Sequence, residues 1–307
     1  MKKRFIITVD TEGDDLWNYH QGDIIRTENT LYIPRFQELC EKYRLKPVYL
    51  TNYEVINDTR FVNYVKAKIE TGKCEVGIHV HAWNNPPFYS LNDKYGGNPY
   101  LVEYPDKVMR DKFEVTFNLI REKLGINVLS HRAGRWAMDE RYFKLLDQFG
   151  IKVDCSYTPF VNWGDCSGST ISGGIDYRKA SLMPLFHGTV LEVPMTIRRF
   201  MHIPSGSLKY RVKAVLKRPP VWLRPSTSSV SMMKGVLSTV KKEEVDYAEF
   251  MIHSSELMPG GSPYYKTKES IETLYESMEE IFNYAIKNEF EGCTLAEYYD
   301  INIQKHY

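Results

Sequence analysis

The sequence predicts an α/β chain folded as an irregular (β/α)7-type barrel, and three observations lead there. Short runs rich in β-branched and aromatic residues alternate with amphipathic helical stretches along most of the chain, the pattern of a parallel sheet covered by helices. About eight such runs occur, which suits closure into a barrel better than two small sheets. Polar residues that interrupt the apolar runs fall at their C-terminal ends, where a β/α barrel gathers its functional groups.

The strands are expected at Phe5–Asp10, Pro47–Thr51, Glu75–Val80, Val128–Arg132, Lys152–Ser156, Val190–Thr196, Ala248–His253 and Glu291–Leu295. Between them, Phe36, Leu39, Cys40 and Tyr43 keep helical spacing, as do Phe113, Phe117, Ile120 and Leu124. Gly125 and Gly150 are expected to close two helices, because glycine accepts the left-handed conformation that a C-cap requires. The longest helix is expected over about Lys268 to Asn288, with Ile271, Leu274, Met278, Ile281, Phe282 and Ala285 on its buried face. Trp83 to Pro105, rich in Asn, Pro, Gly and Tyr, reads as a long loop after a strand.

The 307 residues, 43% hydrophobic and 26% charged, are those of a globular chain, and no internal repeat or low-complexity linker divides them. We therefore expect one barrel domain over 1–307, carrying a basic insertion at about 198–242. A net charge of +1 argues against a nucleic-acid binder. The opening MKKRFIITVD has too short an apolar run for a signal peptide, and five cysteines without CxxC spacing read as free thiols, so a cytoplasmic setting is expected. Charge is uneven: Val193 to Lys242 holds eleven Lys and Arg and no Asp or Glu. Leu208, Val212, Val215 and Leu216, interleaved with Lys209, Arg211, Lys213 and Lys217, would allow this stretch to meet a lipid-linked anionic glycan or a membrane surface. The plainer alternative is a solvated helical excursion on the barrel rim.

Residues two apart in an extended chain share a face. Asp10 and Glu12 can therefore look into one cavity, and so can His79 and His81. Two imidazoles and a carboxylate form a three-ligand site with open positions, as catalytic metals use. The second carboxylate is then free to act as a base, and His253, at the end of another strand, can protonate a leaving amine. Glu192 ends the LEVP strand and reads as lining of the same pocket. His131, His187 and His202 receive no role.

ITVDTEGDD, EVGIHVHAWNNPP, SHRAGRW, VDCSY and FMIHSSE together resemble, in order and spacing, the NodB-type polysaccharide deacetylases of carbohydrate esterase family 4. The resemblance spans about Phe5 to Glu256 and is nearest to the divergent WalW-like branch linked with lipopolysaccharide and surface-polysaccharide synthesis. It implies an irregular barrel of about seven strands and hydrolysis of the N-acetyl group of an amino sugar with a divalent metal, zinc first, with cobalt, nickel or iron as alternatives. By the same resemblance Asp10 is the catalytic base, Glu12 and His79 are metal ligands, Arg132 orients the base, and Asp154 supports the acid His253. Thr11 separates the two acids that the family usually sets side by side. Trp83 stands where its second histidine falls, which leaves His81 as the other ligand. A second arginine, Arg135, follows in the third motif.

Three other readings stay open on the residues alone. An amidohydrolase barrel would place its HxH pair on the first strand rather than the third. A non-haem iron oxygenase shares the set of two histidines and a carboxylate but usually sits on an all-β scaffold. A catalytically silent sugar-binding barrel would keep the fold and lose the metal.

Overall fold

The computed structural model describes residues 2–20, 22–201 and 218–306, and forms eleven strands and eight α-helices among them. In chain order they are β1 (Lys3–Thr11), α1 (Ile33–Lys42), β2 (Pro47–Thr51), α2 (Tyr53–Ile56), α3 (Thr59–Glu70) and β3 (Glu75–Val80). There follow α4 (Asp106–Leu124), β4 (Ser130–Ala133), α5 (Glu140–Gln148), β5 (Val153–Asp154), β6 (Leu185–His187) and β7 (Val190–Glu192). The chain ends with β8 (Ile197–Arg198), β9 (Val221–Trp222), α6 (Val230–Lys242), β10 (Tyr247–His253), α7 (Lys268–Lys287), β11 (Phe290–Gly292) and α8 (Leu295–His306).

The main sheet runs β10-β1-β2-β3-β4-β5-β7-β6, with β11 added to the start of β1, and every pairing but β6–β7 is parallel. Its central strands are buried from end to end, Phe5–Thr11 and the whole of β2 included, which is why they read as continuous apolar runs rather than alternating ones. The sheet curls into the predicted irregular barrel. β7 and β10 do not pair directly. Leu223 bridges them, its N–H donating to Thr196 O (3.1 Å) and its carbonyl accepting from Met251 N (3.2 Å), while Glu249 N donates to Thr196 Oγ1 (2.8 Å).

Helices lie where the periodicity placed them. Gly125 (φ 71°) closes α4 and Gly150 (φ 75°) follows α5, and α7 buries the six residues expected of it. The differences have local causes. The Val190–Thr196 run stops as a strand at Glu192, and Pro194, which has no N–H to give, follows. Leu295 begins α8 instead of ending a strand, because Thr294 and Glu297 form a reciprocal cap: Glu297 N donates to Thr294 Oγ1 (3.2 Å) and Thr294 N to Glu297 Oε2 (3.0 Å).

Of the basic stretch, β9 and α6 pack on the barrel, with Met233, Val236, Leu237 and Val240 buried. Leu208, Lys209, Arg211, Val212, Lys213, Val215, Leu216 and Lys217, singled out for membrane contact, lie outside the described residues, as does His202. No helix among the described residues is long and apolar enough to cross a membrane. All five cysteines are free, and all but Cys166 are buried.

Candidate functional site

Parallel pairing sets the geometry. β1 and β10 place Asp10 opposite His253, and β3 and β4 place His79 opposite Arg132. Glu12, just past the end of β1, is fixed through its backbone: Asn29 Nδ2 donates to its carbonyl (2.9 Å) and its N–H to Ser254 Oγ (3.2 Å). Glu12, His79 and His81 are all buried, and their ligand atoms converge. His79 Nε2 and His81 Nε2 are 3.0 Å apart and lie 3.7 and 3.3 Å from Glu12 Oε2.

The surroundings of these groups suit a cation. His79 Nδ1 sits 2.9 Å from the Arg132 carbonyl and donates its proton there, so the Nε2 lone pair of the neutral ring faces the common point. Burial opposes a charge on His79, yet Asp10 and Glu12 raise its pKa above the ordinary value. His81 is pushed well below its ordinary value by burial, then by His79, His253 and Arg135. Three donors of this chemistry, held this close, fit a divalent metal with coordination positions left over.

Asp10 lies beside the cluster. Its Oδ1 accepts from Arg132 Nη1 (2.5 Å), and its Oδ2 is 3.7 Å from His253 Nε2. Burial would raise the Asp10 carboxyl, but Arg132, His79 and His253 outweigh it and hold the pKa below the usual range. The Arg132 side chain is fully buried and also reaches Glu249 and Thr8.

His253 has partners that the sequence reading did not find. Arg224 Nη2 is 3.0 Å from its Nδ1, and Glu256 Oε2 is 3.6 Å from the same atom. While the ring is neutral, Arg224 donates to Nδ1 and the ring proton sits on Nε2, facing Asp10 and Glu12. When the ring is charged, Glu256 is the acceptor that the second N–H needs. Glu256 is buried and paired with Arg224 (3.2 Å), and its carboxyl, which burial would raise, is lowered to about 2 by Arg224 and His253. The sequence held one clue to Glu256, its place three residues after His253 in FMIHSSE. For Arg224, on the loop after a two-residue strand, it held none.

Asp154 is not brought to His253, contrary to expectation. In the β4–β5 register it pairs with His131, its Oδ1 2.6 Å from His131 Nδ1 and 2.7 Å from Ser156 Oγ, while Tyr142 Oη takes the other side of that imidazole. His131 precedes Arg132 on the strand and therefore points to the opposite face of the sheet. Glu192 is likewise fully buried beside Asp154, with Tyr157 N donating to its Oε1 (2.9 Å), and takes no part in the cavity lining.

The site opens into a cavity of ≈ 380 Å³ walled by Trp17, Trp83, Trp136, Trp163, Tyr100 and Tyr264. A second cavity of ≈ 540 Å³ lies under the Trp83–Pro105 loop and shares Trp83 and Asn98 with the first.

These features define a parallel β/α barrel with a carboxylate–imidazole cluster at the C-terminal ends of its strands. No protein-family model matches the chain, and no curated protein matches it by sequence. Among solved structures, 4-alpha-glucanotransferase from Thermococcus litoralis superposes at TM-score 0.57 with 14% identity over 97% of this chain, which spans only 40% of the length of that enzyme. A Mycobacterium smegmatis protein assigned as a polysaccharide deacetylase superposes at 0.54 with 12% identity, covering 99% of this chain and 92% of that one. A family 4 acetyl xylan esterase from Clostridium thermocellum, solved with a cobalt ion, is also found at 0.48 and 12% identity, covering 97% and 91%. At these identities the first two likenesses establish the fold that the chain shares.

Proposed function

We propose that this protein hydrolyses the acetamide of an N-acetylated amino sugar, in a surface polysaccharide or its precursor, with a divalent metal held by Glu12, His79 and His81. The observation that carries the reading is the convergence of those three ligand atoms beside Asp10 and His253. The barrel shared with the Mycobacterium smegmatis protein supports it. So do the aromatic walls, whose flat faces suit the apolar faces of a sugar ring.

A zinc, cobalt, nickel or iron ion in this cluster would supply Lewis acidity to the acetyl carbonyl. Asp10, kept ionised by Arg132, accepts the proton of the water that attacks the carbonyl carbon. His253, charged and with Glu256 opposite its Nδ1, gives a proton from Nε2 to the departing nitrogen. The products are acetate and a free amine. Asp154 has no part in this scheme, and Glu256 takes the place expected for it.

The test joins metal content with acetate release. Protein incubated with zinc or cobalt and then desalted should keep about one equivalent of metal, and His79→Ala and His81→Ala should lose it. Acetate should be freed from at least one member of a panel of N-acetylated amino sugars, and Asp10→Asn should stop this with the metal retained. Wild-type protein that takes up no metal would sink the hydrolase, leaving a silent sugar-binding barrel.

A further inference from the structure

Arg135 stands on the wall of the site cavity. The other two guanidinium groups at the site are neutralised, Arg132 by Asp10 and Arg224 by Glu256. Among the described residues no carboxylate pairs with Arg135. It donates to two backbone carbonyls, from Nη1 to Asn98 O and from Nη2 to Ser167 O (2.9 Å), and lies 4.1 Å from the centre of the Tyr100 ring. A guanidinium has five N–H groups, so three remain: Nε–H and one on each terminal nitrogen.

The backbone at this turn is strained over two residues, Arg135 and Trp136 (φ 64°). Arg135 adopts a left-handed conformation (φ 55°, ψ 24°), which is strained for a side chain other than glycine, and such strain gathers at binding sites. Gly134 before it packs so closely that a Cβ there would meet Val80 O at 2.3 Å and His81 Cδ2 at 2.6 Å. The turn that presents Arg135 therefore presses directly on a residue of the metal-ligand cluster.

We propose that the substrate carries an anionic group, a phosphate or a carboxylate, near the reacting acetamide, and that Arg135 receives it. A half-buried guanidinium whose hydrogen-bond partners among the described residues are neutral carbonyls is suited to an oxyanion, which accepts its remaining N–H groups in a charge-assisted, forked arrangement. The assignment rests on the hydrolase reading above and narrows its substrate class to phosphorylated or acidic N-acetylated amino sugars. The competing role is a clamp between the loops that carry Asn98 and Ser167.

Calorimetric titration of the metal-loaded protein with three sugars separates these: N-acetylglucosamine, its 1-phosphate, and 2-acetamido-2-deoxygalacturonate. One of the two anions should bind about 10-fold or more tightly than the neutral sugar, as a charge-assisted hydrogen bond would give; which one does so tells phosphate from carboxylate. Arg135→Gln should remove that preference and leave the neutral sugar as it was, and Arg135→Lys should keep part of it. Equal binding of all three by the wild type overturns the assignment. So does a preference that survives in Arg135→Gln, or a loss in that variant that is the same for every sugar. Acetate release is read separately: an anion preference without acetate from any sugar removes the hydrolase and leaves the anion site standing.

Discussion

The indole of Trp83 stacks on the imidazole of His81, with ring centres 4.3 Å apart and planes within 18°. Trp83 stands four residues after His79, the spacing at which the NodB-type pattern that the sequence resembles has its second histidine. It leaves His81 Nε2 directed at His79 and Glu12. Trp83→Ala should release the ring and weaken metal binding by about 10-fold, the usual scale for groups that orient a ligand, whereas Trp83→Phe should keep most of the affinity. A chelator-competition titration measures both. Wild-type affinity in the alanine variant would show that stacking does not orient His81.

Gly134 offers a sharper perturbation of the same ring. An alanine Cβ would press on the Val80 backbone and on His81 Cδ2, so Gly134→Ala should displace His81. Metal content should fall below half that of the wild type, with far-ultraviolet circular dichroism unchanged. Full metal content in a folded Gly134→Ala protein would contradict the close approach.

Asp154 should matter for folding alone. Its hydrogen bond with His131 is completely buried, burial lowers the His131 pKa and keeps that ring neutral, and leaving its buried N–H without an acceptor costs about 2 kcal/mol. Asp154→Ala should therefore unfold at lower denaturant concentration yet bind metal as the wild type does. Loss of metal at undiminished stability would restore Asp154 to the site.

Two carboxyls should carry pH-dependent stability of opposite sign. Asp58 caps α3, accepting from Arg60 N (2.8 Å) and from the hydroxyls of Thr27 (2.8 Å) and Thr30 (3.0 Å). Burial would raise its pKa, but Arg60 and these donors lower it from 3.8 to about 2. The folded value lies below the unfolded one, so the contribution is complete above about pH 4 and vanishes as pH falls towards 2. Asp58→Ala should cost about 1 kcal/mol at neutral pH, and the gap from wild type should close over that acid window. A gap independent of pH would mean that the charge is not involved.

Glu249 runs the other way. Burial lifts its pKa from 4.5 to about 7 against the pull of Arg132 and Thr8. The folded protein then holds a proton that the unfolded chain has lost, so stability from this group falls as pH rises from about 4.5 to about 7. Glu249→Gln keeps an acceptor for both donors and has no proton to lose. Its stability relative to wild type should climb across that window in denaturant titrations, and a flat difference would refute the shift.

What the sequence revealed depended on which residues carry a period. β1 and β2 announce themselves because both faces are buried, and α7 because six apolar residues keep helical spacing. Glu12, His79 and His81 were legible for a related reason: a strand of period two puts alternate residues on one side, and the fold supplies the convergence. Arg224 follows a strand too short to show a pattern, and its position depends on how the chain returns across the gap between β7 and β10. Asp154 was assigned to the wrong face because the β4–β5 register, which sets it against His131, cannot be read from spacing along one strand.

The bridge at Leu223 also bears on timing. Leu223 is joined to Thr196 on one side and Met251 on the other, and the next residue, Arg224, touches His253. A fluctuation that parts this clasp also withdraws the neighbour that fixes the proton on His253. Hydrogen exchange at the amides of Leu223 and Met251 would then count how often the barrel breathes and, by the same events, how often that imidazole is free to change its tautomer.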